Sequence, residues 1–416
     1  MKPAQTTIRL IFLLLFVVIV GGCTVPQTRM AYKAPLTEQG ALYFYLQPLP
    51  QEMQRLSFTI TGIDLIPEQG SAIPFLTEKL LVRGRELAGI QTRLASQTLP
   101  PGRYRGIALS IGQASMVTEE GETSLSPPGA PIRVELHFSI LQGRSQALFL
   151  VLSPEYLVTD GFSFTPRFAL GSPSLPPRNF MGFISNSSEN IVTVFNKRSM
   201  EVAQVITTGV GPRGMALDQN RGIVYVANGG DDTIELISAA SMSITGRIRL
   251  RFGDEPTALA LTPDGRTLLS ANAGTGTVSI IDTRSLSEKT RLNLDPDPAW
   301  IIISRDGQRA FVLHTLSNTI SRIDLARPGR FSSLALEHSP LRGTLSRDGE
   351  KLYVITQYAT ELLVVDTRSF EVTGTVFVGG ASVSVTADPK NNLVYVGKKS
   401  GEIVIVDPAS GMFIDS

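Results

Sequence analysis

Few side chains in this sequence can do chemistry, and their spacing limits which chemistry is open. Cys23 is the only cysteine among 416 residues, and it directly follows Val20-Gly21-Gly22 at the end of an apolar run. A lone thiol cannot form a disulfide within the chain, and the two glycines before it fit a small-residue cleavage site. The three histidines, His137, His314 and His338, lie far apart, so no His/Cys spacing suits a metal. Asp282, Asp324, Asp366 and Asp407 are more regular, each closing a strand-like run. One carboxylate per repeat, always in a different unit, is suited to accepting the backbone N–H groups of the next turn rather than to sharing a cation. No metal or other cofactor is expected.

The elements that must position these residues are repeated. Pro212, Pro256, Pro298 and Pro340 recur at spacings of 44, 42 and 42 residues, and a further unit begins near Ser382. Each unit has an apolar first strand up to a tight turn (Asp264-Gly265, Asp306-Gly307, Asp348-Gly349), then a second strand, then a third ending in the repeated aspartate, then a fourth. A period of roughly 40 to 45 residues carrying four short strands marks a β-propeller, one unit to a blade. Six units fit over 179–416, their second strands ending at Asn186, Asn228, Asn272, His314, Thr356 and Lys398. The first unit lacks an obvious inner strand, and the region Phe162 to Leu170 could lend one.

Strand order gives a map of the two ends. If first strands start at one end, second strands finish there and third strands start there. Arg213, Asn228, Asn272, Trp300, His314, Arg342 and Lys398 therefore belong to one propeller face, which is expected to dock a partner with an acidic or carboxylate-bearing surface. Ordinary loop variation is the simpler account of the odd residues at 314, 356 and 398, and Trp300 could equally fill the space between two blades. The opposite face is expected to be dominated by the Asp-Gly turns, which need no ligand to explain them.

Residues 40–171 carry short β-type runs, among them Ala41 to Leu46, Leu56 to Ile66, Gly106 to Ile111, Ile132 to Leu141 and Gln146 to Leu152, separated by Pro-Pro-Gly turns. This predicts an antiparallel β-sandwich, joined to the propeller by the proline-rich stretch 172–178 and preceded by a flexible tether over 23–39. The whole chain is thus expected to be all-β, a β-sandwich followed by a six-unit β-propeller. Lys and Arg number 38 against 37 Asp and Glu, with no basic block, so nucleic acid is not an expected partner.

Three resemblances add to this reading. Residues 1–22, with Lys2, Arg9 and the apolar run Leu10 to Val20, resemble a bacterial lipoprotein signal, which implies lipidation at Cys23. The run spans about 16 Å as a helix, too short for a bilayer core. Thr24 then implies export to the outer membrane. The stretch GALYFYL through LPPGRYRGIALSI resembles an uncharacterised β-sandwich family of bacterial lipoproteins. The repeats resemble the YVTN-type propeller family, in Tyr225-Val226-Ala227-Asn228 and, eroded, Tyr353-Val354-Ile355-Thr356 and Tyr395-Val396-Gly397-Lys398. That family serves binding, scaffolding and catalysis alike. The leading expectation is a lipid-anchored envelope protein that binds a protein, peptide or polysaccharide without catalysis. The alternatives are a lactonase-like or redox-cofactor-dependent propeller enzyme and a purely structural component.

Overall fold

The computed structural model describes residues 34–172 and 175–415; the signal, Cys23 and most of the tether lie outside them. Two sheets make up most of the first part. One joins Gly40–Leu46, Thr92–Leu99, Ser145–Leu152 and Phe168–Gly171. The other is built around the 17-residue strand Gly102–Thr118, which pairs with Leu56–Pro67, Gly121–Leu125 and Ile132–Ile140. Alternate residues of both, such as Leu42, Phe44 and Leu148 from one and Phe58, Ile63 and Ile107 from the other, share one apolar cluster. The Leu-Pro-Pro-Gly turn is fastened by the Tyr104 hydroxyl, which donates to the Pro100 carbonyl at 3.0 Å.

Two expectations need correction. Gly40–Leu46 and Ser145–Leu152 run parallel, so the pairing is not wholly antiparallel; the chain between them passes through the second sheet, the long crossover a parallel pair requires. Phe168–Gly171 pairs with Ser145–Leu152 and lends no strand to the propeller.

From Met181 the chain forms six sheets in sequence. The first has three strands, Met181–Asn186, Ile191–Asn196 and Val202–Thr207, and each of the next five has four. The prolines at 212, 256, 298 and 340 all begin first strands, where a missing N–H costs no ladder bond. The second strands end at the six expected residues. In the middle units these strands are apolar on both faces, as in Arg309–His314, because a sheet lies on each side. Successive apolar clusters join first to second sheet, second to third, third to fourth, fourth to fifth and fifth to sixth. The first sheet's other face is covered by Tyr43, Tyr45, Ala147 and Phe149, packed on Ile191 and Val205. This cover explains why Gly40–Leu46 is buried along its whole length.

The repeated aspartates act as expected. Asp264 accepts the Thr262 hydroxyl at 2.6 Å and the Arg266 N–H at 3.0 Å, beside Gly265 with φ +70°. Asp306 and Asp348 make the same bonds with Ser304 and Ser346. Asp282, Asp324, Asp366 and Asp407 each accept the N–H two residues on. Bonds from the Ser369 N–H, Lys351 and the Arg368 N–H pull the Asp366 carboxyl down to about 2.

Candidate functional site

The residues expected on the docking face do sit at one end of the sheets, but four of the seven are turned inward. Asn228, Asn272 and His314 have no exposed surface and Lys398 has 7 %. Each ties the end of its own second strand to a neighbouring strand or turn. The Asn228 amide donates to Thr233 at 3.2 Å, and the Asn272 amide to Thr277 at 3.0 Å and Ser279 at 2.8 Å. His314 Nε2 meets Ser321 Oγ at 3.0 Å. The Lys398 ammonium donates to the carbonyls of Val378 and Gly379 and to Ser382. A long side chain at the last position of a middle strand has sheets on both sides, and its polar end finds partners in the adjacent turns.

The other three lie on first strands. Arg213 is half-buried, and its carbonyl accepts the Ser185 hydroxyl at 2.6 Å. Trp300 packs against the clusters on both sides of the fourth sheet and donates its indole N–H to the Gly343 carbonyl of the fifth at 3.0 Å. The Arg342 guanidinium lies 4.7 Å from the indole ring centre. Trp300 and Arg342 thus clasp two neighbouring first strands.

His314 carries a pH signature. Burial holds its pKa below the ordinary value, outweighing the opposing pull of Asp295 and of the Asp295 and Pro296 carbonyls. Below about pH 6.5 the unfolded chain takes up a proton that the folded chain refuses, so folding loses up to about 1.4 kcal/mol per pH unit there. His314→Asn restores the residue found at 228 and 272. Its urea midpoint is expected to drop less than the wild type's between pH 7 and pH 5; parallel curves would show that His314 is not the titrating group.

The column also reveals a site that sequence reasoning missed. In the third and fourth sheets the end-of-strand residue bonds to a serine, Ser279 or Ser321, two positions into the third strand. In the fifth sheet that register is held by Leu363, and the buried Thr356 hydroxyl has no hydrogen-bond partner. A cleft of about 450 Å³ opens beside it, lined by Leu336, Glu337 and His338 on one side and by Tyr358, Glu361 and Leu363 on the other. Tyr358 stands 92 % exposed at the rim, in a left-handed turn with φ +63°. The sequence signal was there: Leu363 stands where the two preceding units have Ser279 and Ser321. Among the described residues no three His, Cys, Asp or Glu side chains gather where they could hold a metal ion.

No protein-family model and no curated protein matches the chain. Among solved structures, it is similar to a hydrazine synthase structure from Kuenenia stuttgartiensis, with 21 % identity and a TM-score of 0.50, over 56 % of this chain and 75 % of that one. A streptogramin B lyase structure matches with 14 % identity and a TM-score of 0.49, over 57 % of this chain and 78 % of that one. Virginiamycin B lyase from Staphylococcus aureus matches with 14 % identity and a TM-score of 0.48, over 56 % and 79 %. At such identities the likeness concerns the fold alone, and the chain is a β-propeller protein.

Proposed function

We propose that the protein is a lipid-anchored binding protein of the bacterial cell envelope, with no reaction of its own, and that it docks a saccharide chain in the cleft over Thr356. The anchor rests on the residues around Cys23, and placement at the outer membrane on Thr24. The YVTN-type character of the repeat rests on Tyr225 to Asn228. The docking reading is carried by one observation, the Thr356 hydroxyl buried without a partner. Leaving such a group unsatisfied costs about 1–3 kcal/mol, which a ligand hydroxyl would offset. The rest of the cleft suits a sugar: the Tyr358 ring offers an apolar face for C–H groups, and Glu337 and Glu361 can accept hydroxyl donors. Titration calorimetry with neutral chito- and malto-oligosaccharides tests this. Binding should weaken at least tenfold in Tyr358→Ala and in Thr356→Val; if none of these oligosaccharides binds, or if both variants bind as well as the wild type, the reading fails.

A further inference from the structure

The opposite end of the fourth sheet is more than a set of turns. A cleft of about 820 Å³ lies there, and its walls carry five arginines. Arg309 and Arg322 come from the second and third strands of the fourth sheet, Arg327 and Arg330 from the loop before its outer strand, and Arg368 from a turn of the fifth sheet. Among the described residues Asp324 is the only carboxylate lining the cleft, and it already accepts the Ala326 N–H at 3.0 Å.

How these guanidinium groups are held is the telling feature. Three arginines elsewhere in the propeller meet carboxylates: Arg221 with Asp218 at 2.5 Å, Arg247 with Glu235 at 2.5 Å, Arg291 with Asp254 at 2.6 Å. In the cleft, Arg309 donates to the Thr367 carbonyl at 3.3 Å, and Arg322 donates to the carbonyls of Thr367 at 3.3 Å and Arg368 at 2.8 Å. Arg322 also lies 4.6 Å from the centre of the Phe370 ring. Carbonyls and a ring face fix a guanidinium in place without cancelling its charge. Burial, and then the charge of Arg309, pull the Arg322 pKa below its ordinary value. Of the five, Arg368 alone is paired with a carboxylate among the described residues, Glu350 at 3.3 Å, with both side chains largely exposed.

The sequence shows how the cleft was made. Arg322 stands where the neighbouring sheets have Leu236, Ile280 and Val364, and the residue paired with it on the outer strand is the small Ser332. The loop 325–330, Leu-Ala-Arg-Pro-Gly-Arg, adds the two exposed arginines.

We propose that this cleft binds a ligand bearing two or more phosphate groups, whether a soluble polyphosphate ester or a phosphorylated lipid headgroup. With Arg368 paired to Glu350 and Asp324 in the wall, about three of the five charges are left over, and a single carboxylate would offset one of them. Each phosphate offers three oxygens and up to two charges, and guanidinium forks pair with it in two-pronged fashion.

Inorganic tripolyphosphate is the soluble probe, measured by calorimetry on the intact chain at low and at physiological salt. Vesicles of phosphatidylinositol 4,5-bisphosphate in phosphatidylcholine, against phosphatidylcholine alone, are the lipid probe. Binding to at least one probe is expected, and which one responds identifies the source. Arg327→Gln with Arg330→Gln, both at exposed positions, should lower affinity at least tenfold with an unchanged urea midpoint, and Arg322→Gln should lower it further. Arg322→Lys, keeping the charge and losing the fork, should recover only part. Failure to bind either probe overturns the proposal, as does undiminished binding by the double variant. Equal affinity for polyglutamate would overturn the assignment to phosphate.

Discussion

Replacing Arg291 with alanine should destabilise the fold by about 3–5 kcal/mol, because it removes the partner of a buried charge. Asp254 has no exposed surface, and Arg291 grips it with two bonds, 2.6 Å to Oδ1 and 2.8 Å to Oδ2. Arg291 also reaches Glu288 at 2.7 Å. Asp254 lies in the loop leading into the third sheet and Arg291 on that sheet's outer strand, so the pair ties the loop to that strand. Burial pushes the Asp254 carboxyl up, yet the bonds from Arg291, Thr275 and the Arg251 N–H together hold it below the ordinary carboxylate range. A depressed carboxyl stabilises the fold above the unfolded value near 3.9, and that contribution is lost as pH falls through the folded value. In the variant the urea midpoint at pH 7 should drop sharply, and the acid limb of the stability curve should flatten. A midpoint within about 1 kcal/mol of wild type would mean that water or Glu288 replaces the lost partner.

Trp300→Ala should cost about 3 kcal/mol, through the cavity left between the fourth and fifth sheets and the loss of the bond to Gly343. This separates the two roles open to the only tryptophan. A docking residue is dispensable for folding; a clasp is not. Urea unfolding followed by far-ultraviolet circular dichroism gives the number without relying on the fluorophore being removed. An unchanged midpoint would return Trp300 to the docking residues, while a large loss would also account for Arg342, which rests on the same ring.

Much of the fold was legible because each repeat states it again. A proline fixes where a first strand starts, an Asp-Gly turn fixes the register of the next, and an aspartate marks where a third strand stops. Direction was harder. Asn228, His314 and Lys398 were correctly placed at a strand end, but a strand's last residue can face solvent or the neighbouring sheet, and only the packing decides. The parallel pairing of Gly40–Leu46 with Ser145–Leu152 was hidden because an apolar strand buried on both faces reads alike in either direction. The arginine cleft was concealed by distance along the chain. Arg309 and Arg368 are in different units, and an overall formal charge of +1 gives no hint that five guanidinium groups converge.

The two ends of the row of sheets are not alike. The first sheet is covered by Tyr43, Tyr45 and Phe149, whereas among the described residues no apolar cluster joins the sixth sheet to any but the fifth. Val383, Ile403 and Ile414 on that last sheet are 47 %, 55 % and 52 % exposed. When stability is a sum of neighbour contacts, gaining or losing a unit at the uncovered end alters a single contact surface. A duplication at the other end would separate the first sheet from its cover. The number of units can therefore vary beyond the sixth sheet at the cost of one contact surface, whereas the first sheet is held by its cover.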